Sequence, residues 1–162
     1  MYFHQRKAFT MLEMTFVIVI IGILSAVAIP KLAMTSDDAV ITKAKNTVST
    51  IRGAIATERQ KSILKGVFAN LNELSSATGN GKAIFDGFNG DTANPVLTYP
   101  LVSCKDGTAK GCWINAGGTG TAADPTVYTY RMPLTGTVVF NLEDNRFVCA
   151  TPADSNCKLL TR

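Results

Sequence analysis

From Phe9 to Ile29 the chain is an almost unbroken apolar run of 21 residues, in which Thr10, Glu13, Thr15 and Ser25 are the polar members. Wound as an α-helix at ~1.5 Å per residue it is roughly 31 Å long, about the thickness of a bilayer's hydrocarbon core. The three hydroxyls can bond back to the helix's own carbonyls. Glu13 has no such outlet. An ionised carboxylate at membrane depth costs at least ~2.5 kcal/mol and is usually kept there for a function, with a partner that compensates it. A cut between Ala8 and Phe9 supplies one: the new α-ammonium of Phe9 lies one helical turn from Glu13, or within reach of Glu13 on a neighbouring copy.

A short basic leader with Arg6-Lys7, a small residue at Ala8, then Phe9-Thr10-Met11-Leu12-Glu13 and an apolar helix to about Pro30 resemble the processing site of type IV pilins and of the pseudopilins of type II secretion. The resemblance implies that a membrane-embedded prepilin peptidase cuts at Ala8-Phe9 and N-methylates Phe9. It also implies that Phe9, Thr10 and Glu13 form the assembly site, with Glu13 guiding subunit docking. Ala8 stands where the family usually has Gly. The implied fold is a pilin-like α+β domain. The implied partners are copies of the chain and other pilins or pseudopilins, the inner membrane, the peptidase and a pilus or secretion assembly platform. The implied life history begins with a single-pass, N-in/C-out precursor in the inner membrane and ends in a periplasmic or surface filament.

Two plainer readings compete. Ala26-Val27-Ala28 after an apolar run resembles an ordinary secretory cleavage site, with Arg6-Lys7 as its basic region. A simple single-pass anchor also explains the apolarity. Neither explains Glu13, and the first discards a helical pattern that continues past Ala28. Positive charge ahead of the span and an exported remainder give the N-in orientation. Pro30 predicts a kink or local unwinding near Ala26, because proline removes one helical hydrogen bond and clashes with the carbonyl four residues back. Gly22 and Pro30 bound an interval that, by the pilin resemblance, extends when subunits pack.

The formal charge of +4 falls to +2 once Arg6 and Lys7 leave with the leader. Seven cations (Lys31, Lys43, Lys45, Arg52, Arg59, Lys61, Lys65) face three carboxylates between Lys31 and Lys65, whereas from Gly66 onward seven basic residues balance eight acidic ones. In the same stretch Ile41, Ala44, Val48, Ile51 and Ile55 recur at spacings of three and four, which predicts an amphipathic helix with one buried stripe. Lys43, Lys45, Arg52 and Arg59 fall on the other face, read as solvated. The helix is expected to end near Lys65 with Gly66 as its stop, followed by a short second helix through Val67, Phe68, Leu71 and Leu74.

The domain plan is therefore a leader over 1–8, a membrane and assembly helix over 9–30, an amphipathic extension over 31–65, a connecting region over 66–95 and an antiparallel sheet over 96–162. Ser75 to Pro95 reads as a loop by composition. Asp86, Asn89 and Asp91 there offer oxygen ligands around glycines. Their spacing is not that of an EF-hand and turn chemistry selects the same residues, so no metal or cofactor is assigned. Period-two alternation places Tyr128, Tyr130 and Met132 on one face of a strand and Val138, Phe140 and Leu142 on one face of the next. Glu143-Asp144-Asn145 forms the turn into a third strand, Arg146 to Ala150. Val96 to Val102 is expected to add a strand, and Gly117 to Ala123 an exposed loop.

Cys104, Cys112, Cys149 and Cys157 allow three connectivities. An exported domain favours disulfides over zinc, whose usual Cys-x2-Cys knuckles are missing. Turn residues in both spacers, Asp106-Gly107 and Pro152, favour the two local bridges, with cross-pairing open. Major pseudopilins carry a calcium loop near the C-terminus, where this chain has Cys149 to Cys157; that tilts the resemblance toward disulfide-bearing pilins.

Catalytic signatures are missing. The one histidine, His4, lies in the leader, and no nucleophile elbow, phosphate-binding loop or intramembrane carboxylate pair occurs. The sequence reads as a structural filament subunit, not an enzyme. The alternative is a DNA-uptake (competence) pilin whose basic residues meet phosphate directly.

Overall fold

The computed structural model describes residues 9–162, and the expected leader, with Ala8, lies outside them. The chain divides into two compact units, with the division between Asp38 and Ala39. One helix, α1 (Met11–Leu64), belongs in part to each.

Among the described residues of the first unit the structure from Met11 onward is one helix, long and apolar enough to cross a membrane by length and composition. Its large side chains, among them Leu12, Phe16, Ile18, Ile23, Leu24 and Ile29, are exposed. Thr15 Oγ1 donates to Leu12 O at 2.9 Å, the self-satisfaction expected of a hydroxyl in an apolar helix. The unwinding expected near Ala26 does not occur: helical structure runs unbroken through Ala26 and Pro30. Proline removes a single N–H from a ladder that continues on both sides, a loss that apolar helices tolerate.

The second unit is α+β. Strands β1 (Ala83–Ile84) and β2 (Leu101–Val102) pair antiparallel. Strands β3 (Cys112–Gly117), β4 (Thr126–Arg131), β5 (Thr137–Glu143) and β6 (Arg146–Cys149) form an antiparallel meander in that order, and a short helix, α2 (Ser155–Thr161), follows. The amphipathic stripe of α1 and the apolar face of the meander bury each other. Ala44, Val48, Ile51 and Ile55 are buried, as are Trp113, Tyr128, Tyr130, Met132, Val138, Phe140, Leu142 and Phe147. Phe140 and Phe147 stack with ring centroids 4.9 Å apart across the β5–β6 pair. Asp144 and Asn145, with φ of 49° and 62°, make the two-residue left-handed turn that suits the twist of a hairpin.

α1 ends as its sequence demands. Gly66 adopts φ 75°, Val67 N–H reaches back to Ser62 O and Gly66 N–H to Ile63 O, both at 2.9 Å, which is the Schellman arrangement. The expected second helix at Val67 to Leu74 is not formed. The backbone donors of that stretch go to distant side chains instead: Leu71 N–H to Asn145 Oδ1 (2.7 Å), Asn72 N–H to Asn89 Oδ1 (2.8 Å) and Leu74 N–H to the Tyr128 hydroxyl (2.8 Å). The connecting region is mostly irregular, the one strand within it being Ala83–Ile84, yet Leu71, Leu74, Ile84, Phe85 and Phe88 sit in the core and Phe85 packs edge-on against Trp113 at 5.4 Å. Of the strand expected over Val96 to Val102, only Leu101–Val102 is extended and paired.

Candidate functional site

The sequence places the site at the start of α1, and local chemistry builds it there. Thr10 precedes the first helical residue, and its Oγ1 accepts the Glu13 N–H at 3.2 Å while its carbonyl accepts the Met14 N–H at 3.2 Å. Thr10 is thus the helix cap, with Glu13 three residues on, the Thr-x-x-Glu spacing of a capping box. A carboxylate in the first turn also complements the partial positive charge of the helix N-terminus. Two local needs are met before any partner is considered: an orphan amide is satisfied, and a negative charge lies at the helix's positive end. Thr10, Leu12, Glu13, Thr15, Phe16 and Val19 together line a shallow surface groove of about 520 Å³. Phe9 and Leu12, 72 % and 81 % exposed, leave the carboxylate's surroundings open to a neighbour.

The other expected site residues are scattered by role. Gly22 has nothing within 4 Å of where a Cβ would stand, so the helix surface there is open. Disulfides join Cys104 to Cys112 and Cys149 to Cys157, each closing a sequence separation of eight. The first ties the segment after β2 to the start of β3, the second ties β6 to α2. Within the first loop Asp106 Oδ1 accepts the amides of Thr108 and Ala109 and the Thr108 hydroxyl. Those bonds, led by the Thr108 hydroxyl, hold the Asp106 carboxyl below the usual carboxylate range.

The oxygen cluster noted near Gly87 and Gly90 is engaged in holding the chain. Asp86 accepts the Ser76 N–H at 2.8 Å and the Ser76 hydroxyl, Asn89 accepts the Asn72 N–H, and Asp91 accepts the Ala93 N–H at 2.9 Å. Among the described residues no cluster of three or more His, Cys, Asp or Glu could hold a metal ion. Lys43, Lys45, Arg52 and Arg59 are all exposed, as a solvated face requires, and one of them is also tethered. Arg52 Nε donates to Phe147 O at 3.0 Å, so this side chain docks on β6, and burial lowers its pKa.

What the outline of this site matches is a short sequence signature. Residues 3–29 match the prokaryotic N-terminal methylation motif. The chain carries the prepilin signal of type IV pilins and pseudopilins. That signal supports a pilin-like or pseudopilin substrate of prepilin peptidase, and it implies a structural subunit rather than an enzyme. The prepilin signal and the apolar first half of α1 fit an inner-membrane-anchored precursor, and the long helix packed on an antiparallel sheet is pilin-like. No curated protein and no solved structure matches the chain.

The cap is a role the sequence reading missed: the Thr10 hydroxyl, expected to bond back to a helix carbonyl, accepts the Glu13 amide instead, and the Thr-x-x-Glu spacing was the signal that could have found it. β3 and α2 had no comparable signal. Inward positions on β3 alternate Trp113 with Asn115, so the apolar pattern breaks at a buried polar residue. α2 is only seven residues long, and its N-cap residue, Asp154, makes no side-chain cap bond.

Proposed function

We propose that the protein is a structural subunit of a type IV pilus-like or type II secretion pseudopilus filament, held in the inner membrane with its N-terminus inside until prepilin peptidase cuts between Ala8 and Phe9 and methylates Phe9. The carrying observation is the match of residues 3–29 to the N-terminal methylation motif, with Glu13 set in the first turn of an uncovered apolar helix. Moving such a helix from lipid into a bundle gains little hydrophobic energy, so packing and a satisfied charge pair must favour association. The Glu13 carboxylate with the Phe9 ammonium of an adjacent subunit is that pair, and it sets the axial register. Gly22 and Pro30 are the positions at which the helix extends as subunits pack.

The outward face of α1 in the second unit supports this reading. Ala39, Thr42, Asn46, Thr50, Gly53, Thr57 and Gln60 lie opposite the buried stripe; all are exposed and none is charged. Thr50 and Thr57 return their hydroxyls to Asn46 O and Gly53 O, which leaves few polar demands on that side. Small, self-satisfied residues let helix backbones approach closely.

The test is Glu13→Ala in cells that express the assembly machinery. Membrane insertion of the subunit stays normal and filament assembly is lost. Filaments of normal number from that variant remove Glu13 from the mechanism.

A further inference from the structure

Along one flank of the globular unit, where α1 meets β6 and α2, two grooves run end to end. The first, about 470 Å³, is walled by Arg52, Arg59 and Arg146 over a floor that includes Ile55, Ala56 and Phe147. The second, about 370 Å³, carries Lys158 and Arg162 and shares Arg52 and Val148 with the first, so the two form one trough. Five cations line it and no Asp or Glu side chain does. Among the described residues no side-chain hydrogen bond or ion pair engages Arg59, Arg146, Lys158 or Arg162. Arg52, at the junction, donates through Nε to Phe147 O, and among the described residues its two terminal nitrogens have no hydrogen-bond partner.

Unpartnered guanidinium forks at this density favour carboxylate or phosphate. The floor decides between them. Single-stranded nucleic acid needs aromatic faces on which bases stack, and the trough's one aromatic, Phe147, is 3 % exposed and already stacked on Phe140. A duplex presents a regular phosphate backbone with nothing to set into a concave apolar floor. A polypeptide that alternates carboxylates with apolar side chains satisfies both wall and floor.

We infer that this trough is a docking site for an acidic, apolar-anchored polypeptide segment of a partner protein. The inference does not depend on filament assembly. It is tested with the full-length chain in detergent micelles and a fluorescein-labelled peptide of about twelve residues alternating Glu and Leu, read by fluorescence anisotropy at low salt, where surface charge is least screened. The peptide binds saturably, and the same peptide with Gln for Glu does not. Arg59→Gln with Arg146→Gln, both exposed positions, weakens binding by about tenfold or more, in line with the loss of charge-assisted bonds. Lys65→Gln with Lys82→Gln, an equal charge change outside the trough, leaves it within about twofold. Trp113 fluorescence reports that each variant is folded. Equal weakening by both pairs, absence of saturable binding, or tighter binding of a short DNA duplex that the Arg59/Arg146 pair abolishes each overturns the inference.

Discussion

Replacing Asn145 with alanine tests how the hairpin turn holds the connecting region on the sheet. Asn145 is 8 % exposed at φ 62°; its Oδ1 accepts the buried Leu71 N–H and its Nδ2 donates to Asn70 Oδ1, each at 2.7 Å. Alanine leaves the Leu71 amide buried without a partner, about 1–3 kcal/mol, and removes the Asn70 bond, about 1 kcal/mol. A left-handed backbone adds up to about 1 kcal/mol for a residue with a Cβ and no local hydrogen bond. The sum is a loss of about 2–5 kcal/mol. Glycine forfeits the same bonds without the backbone penalty, so Asn145→Gly is milder by about 0.5–1 kcal/mol. Urea unfolding of the detergent-solubilised chain, followed by fluorescence of the buried Trp113, gives both numbers. An alanine variant within about 0.5 kcal/mol of the parent, or a glycine variant worse than alanine, refutes the assignment of Asn145 as the clasp.

Three further outcomes are expected. Removing the Cys149–Cys157 bridge by double alanine substitution costs about 2.5 kcal/mol on loop-closure entropy for its separation of eight, measured by the same urea unfolding against the parent. Burial raises the Tyr128 pKa above the usual phenol value of 10.0, so its contribution is full below pH 10 and declines as pH climbs above it and the unfolded chain ionises. Tyr128→Phe, which strips Leu74 N–H of its acceptor, is therefore about 1–2 kcal/mol less stable at pH 7 but loses less between about pH 9 and 11, as parallel urea titrations will show. Gly53 has open space at its Cβ position, so Gly53→Ala stabilises the folded subunit by up to about 1 kcal/mol through helix propensity, whereas Gly53→Phe folds normally yet fails to assemble, by electron microscopy of sheared filaments.

The long helix and the meander were readable because burial there follows simple periods. Ala44, Val48, Ile51 and Ile55 keep helical spacing, and Tyr128, Tyr130, Val138, Phe140 and Leu142 keep strand alternation; all are buried. The stretch from Val67 to Phe88 was not, because its order is set by partners far along the chain. Leu71 and Leu74 carry helix-compatible spacing, yet their amides are claimed by Asn145 and Tyr128, 74 and 54 residues away. Composition misleads at Phe85 and Phe88, which lie among glycines and asparagines and are nonetheless core. Arg52 reads as one surface cation among several and is exposed, but its bond to β6 depends on a strand far along the chain and has no local signal. At the candidate site the balance is reversed: Thr10 and Glu13 act within one turn, so their capping relation is local and visible in four residues.

If Ala8-Phe9 is the processing site, cleavage there creates the charge that Glu13 pairs with and leaves the apolar helix behind it in place. Mass spectrometry of the N-terminal peptide, taken from the membrane fraction of cells with an active prepilin peptidase, tests it most directly. A chain that begins at N-methyl-Phe9 and keeps its whole apolar segment is expected. A chain that begins at Ile29, or one that keeps residues 1–8 while filaments form, contradicts it.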